Sequence, residues 1–190
     1  MSYPLVMSES RYNSRKMLEK LIAFPTVSSN SNLDLISLVE DYLSVYGVSS
    51  KRIISDCGKK ANLYATIGPM NPGGIVLSGH TDVVPIDGQD WQTDPFELTE
   101  KDGRLYGRGT CDMKAFTAIA LALVPEMSNL KRPIHLALSY DEEIGCLGAP
   151  RLIETIKDHL PEVRAVFVGE PTSMRVVTGH KSILHFDTRI

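Results

Sequence analysis

The chain has 190 residues, 43% of them hydrophobic and 23% charged, with a formal net charge of −3. That length and balance suit one sizeable core in an ordinary soluble globular protein. The slight acidity provides no electrostatic footprint for nucleic acid or for an anionic membrane, so neither is expected as a partner.

Cys57, Cys111 and Cys146 are widely spaced, odd in number and without a C-x-x-C pair. A disulfide framework is not expected, and a reducing compartment fits better. The opening residues MSYPLVMSES have no basic segment leading into a long apolar one, so no secretory signal is read there. The longest nearly apolar run, residues 115–125, is about half of the ~20 residues needed to span a bilayer. The expected location is the cytoplasm.

In chain order, residues 11–23 carry Tyr12, Leu18, Leu21 and Ile22 at helical spacing and stop before Pro25. Residues 33–46 place Leu33, Ile36, Val39 and Leu43 on one helical face, and Gly47 ends that helix. Residues 62–67 read as a strand. Gly73-Gly74 then breaks the chain before the buried strand Ile75-Val-Leu77. Residues 83–109, rich in Pro, Gly and Asp, form a long loop or short ribbons of the kind that usually carries function. A helix of small and apolar residues follows at 113–127. Then come a strand at 134–138, a helix at 147–159 and a strand at 165–168. This alternation predicts an α/β fold with a mostly parallel sheet flanked by helices. Beyond Pro171, residues 175–178 and 182–190 are expected to be β structure, and the pattern stops as if the domain were incomplete.

The chemistry-bearing residues follow the buried strands. The first strand runs into His80-Thr81-Asp82, the next into Asp141-Glu142-Glu143, and the last into Gly169-Glu170. Asp112 precedes a helix. Strand C-terminal ends are where open α/β sheets place their sites. The residues recur about 30 apart, roughly one βαβ unit, so they converge from neighbouring strands. One imidazole with several carboxylates suits zinc, and a two-metal site needs a bridging carboxylate. In His80-x-Asp82 the aspartate can orient the imidazole. Glu142 and Glu143 point different ways, so one can bind metal while the other acts as general base. Each motif alone has a plainer reading: a solvated turn, a strand-end charge or a helix N-cap. Four of them at the same kind of junction favour a metal site. Cys111 is expected to be a small packed residue, His135 structural, and His159, His180 and His185 outside the cluster.

Five ordered blocks carry a resemblance. They are Ser78-Gly-His-Thr-Asp-Val-Val-Pro85, Trp91 with Asp94-Pro95-Phe96, Gly103-Arg-Leu-Tyr-Gly-Arg-Gly-Thr-Cys-Asp-Met-Lys114, Tyr140-Asp-Glu-Glu-Ile-Gly145 and Val168-Gly-Glu-Pro-Thr172. Together they resemble the di-zinc amidohydrolase and carboxypeptidase family, with a zinc-aminopeptidase-like catalytic domain. The resemblance implies that His80 and Glu170 bind one zinc, Asp112 bridges both and Glu143 binds the other. It implies Asp82 as orienter of His80, Glu142 as general base, and a cis peptide at Asp112–Met113. Cobalt can stand in for zinc in such sites. Ala115 and Ser182 replace glycines usual in the family, a small change at each position.

Family members are about twice this long. They take the last ligand of the second zinc from a histidine near the C-terminus, and a second histidine, from a lid and dimerisation domain, helps stabilise the tetrahedral intermediate. On that basis residues 1–175 are expected to be the N-terminal part of the catalytic domain and 176–190 the start of a truncated lid domain. A homodimer is expected at full length. The implied reaction is hydrolysis of an N-acyl amino acid, with N-acetylornithine first. Succinyl-diaminopimelate and dipeptides are alternatives for the same machinery. The 190 residues alone are expected to be an inactive metal-binding piece.

Overall fold

In a computed structural model, residues 11–179 and 188 are described. Helix α1 (Ser14–Ile22) starts where the Asn13 side chain accepts from the Lys16 N–H at 2.8 Å, and it buries Met17, Leu18, Leu21 and Ile22. Helix α2 (Leu33–Val45) buries Leu35, Ile36, Val39, Tyr42 and Leu43 on one stripe. It stops at Gly47, whose φ of 71° is the left-handed conformation that glycine adopts most cheaply.

Strands β1 (Ser50–Ile54), β2 (Ala61–Ile67), β3 (Gly74–His80), β6 (Ile134–Ser139) and β7 (Val163–Val168) form one sheet in the order β1-β2-β6-β3-β7. Strands β4 (Thr99–Lys101) and β5 (Arg104–Tyr106) make a separate hairpin in the long loop. β3 pairs in parallel with β6 on one side and β7 on the other. β2 pairs antiparallel with both β6 and β1. Four strands therefore run one way and β2 alone runs against them, which is the mostly parallel sheet expected.

The faces separate by side-chain parity. Ala61, Leu63, Ala65 and Ile67 of β2, with Leu136 and Leu138 of β6, pack against α1, α2 and helix α3 (Ala115–Leu123). Val76 and Ala137 point the other way, onto Leu152 and Ile156 of helix α4 (Ala149–Ile156). His135 lies on that second face, fully buried, with Nδ1 2.9 Å from Thr66 Oγ1 and 3.0 Å from Tyr64 Oη. It is structural, as its place in a strand implies. No helix among the described residues is long and apolar enough to cross a membrane.

Three expectations need correction. β1 is an additional strand; with only Ile53 and Ile54 apolar in its five residues, it carries little alternation. Residues 175–178 are irregular and exposed rather than a strand, so their β-branched residues have local propensity but no ladder among the described residues. Cys111 is exposed rather than packed, because it sits on the outside of a wide helical turn. Residues 182–187, 189 and 190, with His180 and His185, lie outside the described residues.

Candidate metal centre

β3 lies between β6 and β7 with all three parallel, so their C-terminal ends open onto one place. His80 is level with Ser139 at the end of β6, and Ser78 with Val168 at the end of β7. The loops that follow carry Glu142, Glu143 and Glu170 to either side of His80. Gly169 makes the last approach possible: a Cβ there would lie 2.1 Å from the Phe116 ring. Asp112 comes from outside the sheet, on the wide turn Thr110–Lys114 that leads into α3. That turn contains a cis Asp112–Met113 peptide, as the resemblance implied.

The buried imidazole of His80 organises the cluster. Nδ1 lies 2.9 Å from the main-chain carbonyl of Asp82, which can only accept, so Nδ1 carries the proton. Nε2 then faces Asp112 Oδ1 at 3.0 Å, Glu170 Oε1 at 3.7 Å and Glu142 Oε2 at 3.8 Å. An imidazole lone pair and a carboxylate oxygen at 3.0 Å are two acceptors, and they need a proton or a cation between them. Without a metal, burial opposes the ring's charge, but Asp82, Asp112 and Glu170 outweigh it and raise its pKa to about 9.

The carboxylate of Asp82 is 3.5 Å from Nδ1, farther than its own carbonyl. It does a second job. Oδ1 accepts from the Glu142 N–H at 3.0 Å, and Oδ2 accepts from the Glu143 N–H at 3.3 Å and from Ser28 Oγ at 2.7 Å. Burial would raise its pKa, but these hydrogen bonds and His80 hold it below the ordinary carboxylate value. Ser28, 54 residues away in sequence, was not visible as a site residue because no local pattern marks it.

One ligand atom each from His80, Asp112 and Glu143 falls within 4.8 Å of the others, and the same holds for His80, Glu142 and Glu170. All the metal ligands expected from sequence are thus brought together, with the expected base among them. The expected donor set, one imidazole and three carboxylates, fits a borderline divalent metal such as zinc. A small cavity lined by Val84, Arg108, Asp112 and Glu143 adjoins the cluster.

Residues 76–181 match the model of Peptidase family M20/M25/M40. The chain belongs to this family. An acetylornithine deacetylase of Pasteurella multocida (strain Pm70) is 41% identical over 87% of this chain and 45% of its own length. One from Shigella sonnei (strain Ss046) is 38% identical over 90% of this chain and 46% of its own length. The chain therefore spans about half the length of these M20 relatives. Human carnosine dipeptidase 1 is similar in structure, with a TM-score of 0.69 and 25% identity over 82% of this chain and 38% of that one. A Bacillus subtilis protein described as a dinuclear metal-binding M20 peptidase shares the fold at a TM-score of 0.56 and 22% identity, covering 82% and 41% of the two chains.

The protonation of this M20 site has a measurable consequence. Glu143 is raised to about 7, first by burial and then by the neighbouring Asp112 carboxylate. Metal ligation needs Glu143 ionised and His80 Nε2 free of its proton. Each proton above its normal pKa must leave before metal enters, so affinity should climb as pH rises from below 7 towards 9. Zinc titrations of the metal-stripped protein at several pH values, with proton release followed in parallel, will check this. A flat affinity across that range would contradict it.

Proposed function

We propose that the protein hydrolyses the amide bond of an N-acyl amino acid, with N-acetylornithine as the substrate and ornithine and acetate as the products. The observation that carries this reading is the convergence of Asp112, Glu142 and Glu170 on His80 Nε2, in a chain about 40% identical to proteins named acetylornithine deacetylase.

We assign His80, Asp112, Glu143 and Glu170 as ligands of two zinc ions, with Asp112 shared between them. When bound, zinc would supply Lewis acidity at the scissile carbonyl and lower the pKa of an adjacent water to about 7. Glu142 is the general base. Its carboxylate takes the proton of the attacking water and returns it to the leaving amine nitrogen. Its one described side-chain hydrogen bond is from the Cys146 thiol at 3.5 Å, and His80 Nε2 lies farther off at 3.8 Å, so the carboxylate is not tied up by a strong hydrogen bond. Asp82 holds His80 through its carbonyl and the backbone of both glutamates through its carboxylate.

Residues 1–175 make up the catalytic unit in this reading, and residues from 176 onward begin a lid and dimerisation domain. The whole protein works as a cytoplasmic homodimer on a small-molecule substrate. Zinc-loaded full-length protein should be offered N-acetylornithine, N-succinyl-diaminopimelate and a dipeptide. The highest kcat/KM is expected on N-acetylornithine. A preference for one of the others would replace the substrate, and no hydrolysis of any would sink the reading.

A further inference from the structure

Lys60 stands outside every motif discussed so far. It ends the loop before β2, and its side chain is only 15% exposed. Its Nζ donates to Asp141 Oδ1 at 2.5 Å and also to the main-chain carbonyl of Ser28. Asp141 is itself 9% exposed in its side chain and has a φ of 56°, a left-handed conformation that non-glycine residues adopt rarely. Its own carbonyl accepts from the Leu147 N–H at 3.0 Å, which closes the loop that carries Glu142 and Glu143.

These contacts make a ring. Ser28 offers its carbonyl to Lys60 and its hydroxyl to Asp82 Oδ2. Asp82 accepts from the N–H groups of Glu142 and Glu143. Asp141, directly before them, returns to Lys60. The two glutamates are thus held at three points: by their own amides, by the residue before them and by the loop closure after them. The ion pair fixes the Asp141 side chain from outside the loop, so the left-handed turn before the two glutamates is held in one place. Lys60 is the described cation that does so.

We propose that Lys60 is a positioning residue for catalysis, acting through Asp141 to aim Glu142 and Glu143 at the metal centre. It touches neither metal nor substrate. This inference rests on the hydrolase reading above for its effect on turnover, but not for its effect on metal binding. With Lys60 removed, Asp141 loses its partner and relaxes, and the amides of Glu142 and Glu143 drift from Asp82. A misaimed base slows the chemical step, and a misaimed Glu143 weakens one metal.

The test uses full-length protein carrying Lys60→Met, Lys60→Arg, Asp141→Asn and the double change K60M/D141N. Lys60→Met should lower kcat by about 10–100-fold, the range seen when outer supports of a metal site are removed, while KM stays within about twofold. Zinc titration of the stripped variant should show the dissociation constant at one site raised by about tenfold. Amide hydrogen exchange should quicken at Glu142 and Glu143. Lys60→Arg should recover most of the loss, and the double variant should be no worse than Lys60→Met. A purely structural ion pair would lower the melting temperature and leave kcat, zinc affinity and those two amides unchanged; that result overturns the proposal. If Lys60→Met does not fold, Asp141→Asn breaks the same link and is read the same way. If the unsubstituted protein hydrolyses none of the substrates, the hydrolase reading falls, and zinc affinity and exchange alone decide the role of Lys60.

Discussion

Glu142→Ala should abolish turnover, by about 10²–10⁴-fold, the usual contribution of a placed general base. Zinc content should stay near that of the unsubstituted protein. The backbone of Glu142 is held by Asp82, so truncating the side chain leaves the loop in place. Its carboxylate, about one-third exposed, reaches within 3.8 Å of His80 Nε2. That is close enough to work at the metal centre without occupying the position of Asp112, which lies at 3.0 Å. Glu142→Gln keeps the shape and removes the basicity, and the same loss is expected there. The geometry also allows a rival: Glu142 groups with His80 and Glu170 as a set able to hold a metal. Steady-state kinetics with metal analysis on the same preparations separates the two roles. Lost activity with about half the metal gone would make Glu142 a ligand rather than the base.

Asp112→Ala is the second large effect. As the shared ligand, Asp112 should take both metals with it. The fall in zinc affinity should exceed the about 10–100-fold typical of an outer support, and activity should vanish. The metal-free protein should behave differently. Asp112 is one of the negative neighbours that, after burial itself, push up the pKa values of Glu143 and Glu170. Removing it relieves repulsion of Glu143 and Glu170 but also ends the 3.0 Å contact with His80, so the melting temperature without metal should change little. The stabilisation that zinc gives the unsubstituted protein should be lost. Retention of both metals, or a marked drop in metal-free stability, would show that Asp112 is part of the scaffold and not the bridge.

Much of this architecture could be read along the chain. Helices α1 and α2 show through their apolar stripes, and β2, β3, β6 and β7 through short apolar runs bounded by Gly, Pro or Asp. His80, Asp112, Glu142, Glu143 and Glu170 were legible for the same reason: each follows a strand or opens a helix, and in a parallel sheet those ends share one edge. β1 was hidden because Ser50-Lys-Arg carries no period, and its pairing with β2 supplies what its own residues lack. The exposed stretch at 175–178 shows the opposite case, strand-forming residues with no ladder among the described residues.

What the sequence determined by itself is the kind of site: one imidazole and several carboxylates at successive strand ends, with the residue types a borderline metal requires. These are local properties of residue and position. Only the tertiary structure decided how the site is held. The sheet order placed β3 between β6 and β7, so that His80 meets acids from both sides. It gave the carboxylate of Asp82 to the amides of Glu142 and Glu143, and joined Lys60 to Ser28 and to Asp141 across 32 and 81 residues of chain. Such contacts depend on which elements pack together, and no spacing along one strand or helix encodes them.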